Sequence, residues 1–523
     1  MKRSLFLMVS LGVIRFASGQ LIEGIQTDEN GKIYFQKNIV SHPLLNHSLF
    51  GSNELNLDWS HPDFNLSDNP GEDSWDVRLA TEGNDVYVVY NDNHTNGLQK
   101  IMYRKKINDD EWSEAIFVDA GGEIGARNNH FPAIDAAPNG DLHVAYNVWA
   151  FENTRNYIGY SHYDAGTDTW ADGVKISDLG GTVDHFNSYK DVYVTDDNLP
   201  VVVWGYDFRE NQTNEEIYMT YFDGSNWSAD IAVSDVTDGQ NAGVPFMRGI
   251  GNGKAMIVYS EYNSGGTMDL KYRIYDEATH VLSDPEIIVN EAVMNSNYAI
   301  TSKNGQTKVM HYFKMTSPDR DAVNLYEYDA ENDVFSISPN TFEIAANAGG
   351  LLKRMDMDCT VDGDCGVVFT DFLAQTISFL EYDASVGFGT PHVICEEDPQ
   401  LDFPSVKFDV SGNFHVAWSD MRNDPGTGWS TRETIYKMGR NENMGTAEIL
   451  QEEITIYPNP SNGRFTIHTK DSYKVEIFNV AGKLVYTRMV SGVTLFQKSF
   501  PAGVYFVKFS NEKGTIIKKL IIR

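Results

Sequence analysis

A short apolar signature repeats seven times along the 523-residue chain. It reads VYVVY, LHVAY, PVVVW, AMIVY, KVMHY, CGVVF and FHVAW, and the copies end at Tyr90, Tyr146, Trp204, Tyr259, Tyr312, Phe369 and Trp418. The ends of successive copies are 56, 58, 55, 53, 57 and 49 positions apart. A β-rich repeat of this length is typical of propeller blades or of a solenoid.

The sequence around each copy favours blades. A turn precedes each signature, as at Asn139-Gly140, and another apolar run precedes that turn, as at 132–137. Such turn pairs supply the positive φ angles that tight hairpins need, whereas helical periodicity is not sustained anywhere in these repeats. A third run follows about ten residues later, and often a fourth. The pattern predicts an all-β, seven-bladed β-propeller whose last outer strand comes from residues 21–40.

An acidic turn followed by tryptophan often joins the third and fourth strands. The copy Ser161-His-Tyr-Asp164-Ala-Gly166-Thr-Asp-Thr-Trp170 resembles the Asp box of sialidase-like, BNR-repeat propellers, with one extra residue. The other copies are more degenerate. The box of that family is structural and lies away from the active site, so the resemblance implies a fold and not a function.

The N-terminus indicates export. Met1-Lys2-Arg3, an apolar run that ends at Ile14, and the small residues Ala17-Ser18-Gly19 are typical of a signal peptide at 1–19 that is removed before Gln20. The run is too short to span a bilayer, and no later run is long enough, so no transmembrane span is predicted.

The C-terminal 70 or so residues form a module of different composition, in which apolar and polar residues alternate between turns. We predict a small immunoglobulin-like β-sandwich at 454–523, preceded by a linker at 441–453 and the propeller at 20–440. The Ile456-Tyr-Pro-Asn-Pro460 opening, the Pro501-Ala-Gly-Val-Tyr505 strand and the basic 518–523 end resemble the type A sorting domain of Bacteroidota secreted proteins. The resemblance implies that type IX secretion machinery is a partner and that the protein is secreted or held at the cell surface. An ordinary fibronectin-like or carbohydrate-binding sandwich is the alternative.

Charge and cysteine content exclude several functions. Lys and Arg number 41 against 74 Asp and Glu, and this net charge of −33 disfavours nucleic acid as a partner. No cofactor is predicted. Ca²⁺ suits carboxylate ligands but no motif supports it, and the three cysteines form no zinc site. Cys359 and Cys365 flank a predicted hairpin turn, so they form either a cross-strand disulfide or two buried thiols.

Candidate ligand-binding residues lie in loops that share one face of a propeller around its channel. They are Arg127, Arg248, Arg354, Arg422, Trp149, Trp429, Glu261 and Asp420. Arginines suit carboxylates, and tryptophan rings stack on sugars. The set favours binding of an extracellular ligand, either an acidic glycan or a protein.

An enzyme on the same propeller is the alternative. The stretch Arg127-Asn-Asn-His130-Phe-Pro132 resembles BNR-type propeller polysaccharide lyases, in which a cation neutralises a uronate and a histidine or tyrosine takes the C5 proton. His130, His185 and Tyr189 would then be catalytic. A sialidase-type hydrolase fits less well because the Arg-Ile-Pro motif is absent. Asp-x-Arg recurs at 76–78, 207–209 and 420–422, which indicates ion pairs within blades and favours a binding protein.

Overall fold

The computed structural model describes residues 25–27, 33–35, 57–441 and 455–523, apart from short internal segments. The segments left out are 69–72, 95–97, 119–120, 122–123, 150–155, 178–188, 208–214, 236–239, 264–265, 294–296, 304, 317–318, 338–341, 347–351, 372–375, 385, 397–403, 423–431, 458, 460, 462, 480–482, 497–499 and 512–513. The predicted signal peptide therefore lies outside the described residues, as does the predicted linker after its first residue.

Six of the blades are antiparallel sheets in which consecutive strands pair, innermost strand first. Blades 1 to 3 comprise Ser74–Glu82, Asp85–His94, Leu98–Asn108 and Glu111–Trp112; Asn128–Ala136, Leu142–Trp149, Tyr157–Asp164 and Thr169–Trp170; and Lys190–Val194, Pro200–Asp207, Glu215–Tyr221 and Ile231–Ala232. Blades 4 to 6 comprise Ala242–Gly251, Lys254–Tyr262, Thr267–Asp276 and Val281–Leu282; Tyr298–Lys303, Gln306–Thr316, Asp319–Asp329 and Val334–Ile337; and Leu352–Cys359, Cys365–Asp371, Thr376–Asp383 and Gly387–Phe388. A fifth strand pairs with the third strand of blades 1, 2, 4, 5 and 6, at Ile116–Phe117, Val174–Lys175, Glu286–Val293, Phe342–Ala346 and His392–Cys395.

Blade 7 joins the two ends of the propeller. Its first three strands are Ser405–Phe408, Phe414–Asp420 and Glu433–Asn441, and Leu57–Asp58 and Phe64–Asn65 pair with the third. The prediction that residues 21–40 supply this outer strand is therefore wrong. Within the unit formed by residues 1–54, Ile25–Thr27 pairs with Ile33–Phe35 in a two-stranded sheet of its own. Each closing strand is only two residues long. Such a strand is too short to show the alternation of apolar and polar residues by which a strand is predicted from sequence.

The seven blades form a closed ring. Each innermost strand contacts the innermost strand of the next blade, and Ser405–Phe408 of blade 7 contacts Ser74–Glu82 of blade 1. Closure of the ring leaves the innermost strands around a central channel, as in other propellers. The predicted seven-bladed propeller is confirmed.

The hydrophobic cores lie between neighbouring blades. Val89 of blade 1 packs in one cluster with Val144 and Tyr146 of blade 2, and all three are fully buried. At the seam of the ring, the Trp112 ring of blade 1 lies 4.9 Å from that of Tyr436 of blade 7. The repeated signature is mostly apolar because each second strand is covered on both faces, and each buried apolar side chain contributes about 1.5–3 kcal/mol.

The residues of the Asp box stabilise a turn. The Asp164 carboxylate accepts hydrogen bonds from the amides of Gly166 and Thr167, at 2.7 and 3.1 Å. The Trp170 ring packs 5.2 Å from that of Tyr103 in the neighbouring blade. In this chain the box fixes a hairpin and a contact between blades.

The C-terminal domain is a small β domain built around one long strand. Its strands are Thr455–Tyr457, Phe465–Asn479, Leu484–Phe496, Gly503–Asn511 and Gly514–Ile522. Phe465–Asn479 pairs with three of the others, and its register shifts between Thr469 and Tyr473. Apolar side chains from both halves of this strand share one buried core, as a sandwich requires. Across the described residues of the whole chain, no helix has the length and hydropathy needed to cross a membrane.

Candidate functional site at the channel mouth

Four innermost strands carry a β-bulge near their first residues; that of blade 6 lies between Leu352 and Met355, and each of the other three contains a left-handed residue. Register shifts occur between Trp75 and Arg78, between His130 and Ala133, and between Gly243 and Phe246. Within the bulges, Asp76, Phe131 and Val244 have φ angles of 52°, 53° and 54°. Left-handed backbone is costly for a β-branched or aromatic residue, by about 1–3 kcal/mol, and bulges redirect side chains next to functional sites. The bulges are therefore the first structural sign of a site.

Side chains of neighbouring blades hold two of the bulges in place. The Asn91 side chain of blade 1 donates to the carbonyl of Asn129 at 2.7 Å and accepts from the Phe131 amide at 2.9 Å. The Tyr298 hydroxyl of blade 5 donates to the Val244 carbonyl at 2.5 Å. The left-handed residues are thus fixed by contacts between blades.

All three bulge residues line a cavity of about 60 Å³ at the start of the innermost strands, which we call the channel mouth. Among the described residues, three aromatic rings line it, those of Phe131, Tyr189 and Phe246. Aromatic walls with a few charged groups are typical of a small-molecule or sugar site.

The charged lining of the channel mouth differs from the chain as a whole. Its described lining has four basic side chains, Arg78, Lys190, Arg248 and Lys407, and three acidic ones, Asp76, Asp191 and Asp356. The whole chain, in contrast, has 41 basic and 74 acidic residues. Basic residues are concentrated where the channel opens, so the channel mouth suits an anion better than the rest of the surface does.

Both arginines of the channel mouth form ion pairs. Arg78 Nη2 lies 3.1 Å from Asp76 Oδ1, within the same bulge. Arg248 pairs with Asp191 of the preceding blade, and the same carboxylate accepts from the Met247 amide at 2.9 Å. The recurring Asp-x-Arg motif at 76–78 is therefore an ion pair within a blade.

Aspartates of the innermost strands also join consecutive blades. Asp135 accepts from the amide of Val194 in the next blade at 2.9 Å, and Asp356 does the same with the amide of Val406. Burial raises the pKa of Asp135. These carboxylates satisfy backbone donors at the channel wall, so their first role is to hold the ring together.

Lys190 and His130 have strongly shifted pKa values. Burial lowers the pKa of Lys190 to about 7; the Asp76 carboxylate opposes this effect and the Arg78 guanidinium adds to it. Burial lowers the pKa of His130 to about 4, with a further contribution from Lys190. His130 is 5% exposed, and its ring nitrogens have no hydrogen-bond partner among the described residues. The imidazole is therefore neutral near pH 7, and it lies among the rings of Trp75 and Trp149, at 6.0 and 5.4 Å.

The residues predicted from the sequence do not all lie together. Of the candidates, Tyr189 and Arg248 line the channel mouth, whereas His130 lies behind its lining and Trp149 lies beside His130. Arg127 is partly exposed just before the innermost strand of blade 2, and its carbonyl accepts from Lys100 Nζ at 3.0 Å. His185 and Trp429 lie outside the described residues, as does the side chain of Arg354.

The remaining candidates form ion pairs away from the cavity lining. Glu261 is 5% exposed and pairs with Lys271 of the adjacent strand. Asp420 accepts from Arg422 Nε at 2.8 Å and from Nη2 at 2.6 Å, and Arg422 Nη1 also donates to Asp63 at 2.7 Å. Asp420-Met-Arg422 is thus a second ion pair within a blade, and it also reaches the closing segment. Arg209, of the copy at 207–209, lies outside the described residues.

Sequence reasoning missed Phe131, Phe246, Lys190 and Lys407 as lining residues. One signal was present, because Pro132 and Pro245 follow two of the bulge residues inside strands. Proline within a sheet is confined to edges and bulges, so these prolines mark the bulges that shape the channel mouth.

Two of the three cysteines form a disulfide. A disulfide joins Cys359 and Cys365, which face each other across the first hairpin of blade 6 with Cα atoms 4.0 Å apart. Cys395 is buried and forms no disulfide in the described structure. Among the described residues, no group of three or more His, Cys, Asp or Glu side chains has a metal-binding arrangement.

Comparisons with known proteins identify the C-terminal domain. A family model described as the secretion system C-terminal sorting domain matches residues 455–523. The chain therefore carries a type IX secretion sorting domain and is secreted to the cell surface. A search of curated proteins found no match.

Several solved structures resemble the chain at low identity. A protein of unknown function from Dyadobacter fermentans is 9% identical, with a TM-score of 0.44 over 74% of this chain and 100% of that one. An α-L-arabinanase from Penicillium chrysogenum is 14% identical, with a TM-score of 0.43 over 60% and 94%. The NanB sialidase of Streptococcus pneumoniae is 12% identical, with a TM-score of 0.39 over 72% and 70%. These likenesses carry no argument about the ligand.

Proposed function

We propose that the propeller binds an extracellular glycan with acidic groups at the channel mouth. The observation that carries the proposal is the composition of one cavity, which combines three aromatic rings with four basic and three acidic side chains in a strongly acidic protein. Aromatic rings offer flat surfaces for sugar rings, while paired charges offer donors and acceptors for hydroxyl groups. The excess of basic side chains favours a glycan that carries carboxylate or sulfate.

Export of the protein supports a ligand outside the cell. The sorting domain takes the propeller to the cell surface, so the ligand that we propose lies outside the cell. A binding protein there needs a rigid site, and the contacts between blades supply one, because Asp135, Asp191 and Asp356 each accept from a backbone amide of the next blade.

The ion pairs of two arginines and the burial of His130 favour binding over catalysis. Arg248 and Arg422 form ion pairs with Asp191 and Asp420, so the charge of each guanidinium is already balanced by a carboxylate of the protein. His130 is buried behind the lining of the channel mouth, and a general base must reach the proton that it takes. A lyase would therefore need a base other than His130, such as Tyr189, which lines the channel mouth.

Binding is tested with the full-length secreted chain and a panel of uronate, sulfated, sialylated and neutral polysaccharides, by calorimetry. The Phe246→Ala variant removes a ring of the channel mouth, and we expect its affinity to fall about tenfold or more, or about 1.4 kcal/mol. Phe335→Ala is the matched control, because Phe335 is a partly buried ring of the same hydrophobic cluster but lies on an outer strand. We expect it to lose stability without losing affinity.

Two outcomes would overturn the proposal. The first is that no polysaccharide of the panel binds to the wild-type chain. The second is that a uronate polymer is cleaved during incubation, seen as rising ultraviolet absorbance from unsaturated products, and this would establish a lyase in place of a binding protein.

A further inference from the structure

Lys190 of blade 3 contacts the bulge of blade 2 at the channel mouth. It is the first residue of the innermost strand of blade 3, and its Nζ donates to the carbonyl of Phe131 at 2.8 Å. The same nitrogen lies 5.7 Å from the centroid of the Phe131 ring, within the range of a cation–π contact. Lys190 therefore joins blade 3 to the bulge of blade 2, and its amine faces a wall of the cavity.

The charged groups around Lys190 come from four blades, its own included. Asp76 and Arg78 face it from blade 1, His130 from blade 2, and Asp191 follows it in the chain with Arg248 of blade 4 as its partner. Asp76 pairs with Arg78 and Asp191 pairs with Arg248, so each carboxylate already offsets one arginine. Neutral His130 adds no negative charge.

This arrangement explains why the ammonium form of Lys190 is disfavoured. Burial removes water from the charged amine, and the attraction of Asp76 is partly cancelled by Arg78, so the pKa falls to about 7. A new negative charge in the cavity would restore the lost stabilisation, because an anion within about 4–6 Å favours the protonated amine.

Resting on the proposed function, we propose that Lys190 binds the acidic group of the ligand, a carboxylate or a sulfate, and gains a proton as the ligand enters. Proton uptake follows by linkage, since a ligand that prefers the ammonium form must raise the protonated fraction when it binds. Near pH 7 about half a proton should be taken up for each ligand bound, and near pH 8 close to one. Above that pH the affinity should fall by up to tenfold for each further pH unit.

The test is calorimetric titration of the full-length chain with an oligogalacturonate and with a sulfated oligosaccharide, in two buffers of different ionisation enthalpy. We expect the observed heats to differ between buffers because a proton is taken up. Lys190→Arg should bind without proton uptake, since a guanidinium stays charged. Lys190→Met should bind at least tenfold more weakly. Lys254→Met is the matched control, because Lys254 is exposed beside the far end of an innermost strand, and we expect wild-type heats from it.

A second measurement separates this inference from the proposed function. An amine-acylating reagent applied over a range of pH should modify Lys190 at lower pH than Lys254, and sulfate or acetate ions should protect Lys190. Equal heats in both buffers during tight binding of an acidic glycan would overturn the role of Lys190 and leave glycan binding intact. Protection of Lys190 by small anions without binding of any glycan would overturn the proposed function and support the anion site. Reactivity of Lys190 that matches that of Lys254 would overturn the inference.

Discussion

Asp63 fastens the two ends of the propeller ring. It lies between the closing strands Leu57–Asp58 and Phe64–Asn65, and its carboxylate contacts Arg422 Nη1 at 2.7 Å and Lys437 Nζ at 2.9 Å. Because the closing strands are short, few backbone hydrogen bonds hold this segment to blade 7. We therefore predict that Asp63→Asn weakens closure of the ring.

The burial of the ion pairs sets the expected size of the effect. The side chains of Asp63, Arg422 and Lys437 are 21%, 19% and 15% exposed. Exposed ion pairs contribute about 0–1 kcal/mol, whereas breaking a buried pair costs about 3–5 kcal/mol. Arg422 keeps Asp420 as a partner in the variant. The loss should lie between these limits, so we expect a fall of about 2 kcal/mol in the free energy of unfolding.

The assay is denaturant unfolding of the full chain, followed by tryptophan fluorescence, together with limited proteolysis of the segment before blade 1. Asp85→Asn is the control, because the side chains of the pair between Asp85 and Lys105 are 53% and 39% exposed and both residues belong to blade 1. We expect the control to lose less than about 1 kcal/mol. Equal losses in the two variants, or equal rates of cleavage, would refute the role assigned to Asp63 in closing the ring.

Two further predictions concern the channel mouth. Tyr298→Phe removes the donor to the Val244 carbonyl, so we expect a loss of about 1–3 kcal/mol in unfolding free energy and weaker glycan binding. The control is Tyr457→Phe, at an exposed ring of the sorting domain, which should change neither quantity. Unchanged glycan binding in Tyr298→Phe would contradict the prediction. Lys190 has a pKa of about 7 in the folded chain and about 10.4 in the unfolded chain. Between these two pH values the unfolded chain binds more protons than the folded chain. The free energy of unfolding should therefore rise with pH, by up to about 1.4 kcal/mol per pH unit. Lys190→Met should lack this rise, and parallel stability curves from pH 7 to 10 would show that Lys190 titrates normally.

The sequence predicts the blades well because their signals are local. Alternating apolar residues and the turn residues between them lie within one unit of about 55 positions, and the unit recurs seven times. Closure of the ring has no such signal. The ion pair between Asp63 and Arg422 joins residues 359 positions apart, and nothing near either residue marks the other as its partner.

The site was harder to predict for the same physical reason. A sequence shows which side chains reach a face of the propeller, but it does not show which of them neutralise each other. Arg248 and Arg422 have suitable positions in the chain, and both are held by aspartates of the protein. The lining residues that matter most in the proposals, Phe131 and Lys190, depend on a bulge that only the pairing of strands reveals.

These contacts divide the charges of the channel into two kinds. Asp135, Asp191 and Asp356 bond to backbone amides of the following blade, so a ligand that displaced them would also loosen the ring. These carboxylates are part of the framework of the ring. The Lys190 amine differs, because burial lowers its pKa to about 7. In the proposed site, the rigid propeller responds to an acidic ligand by the gain of one proton and without movement of its backbone.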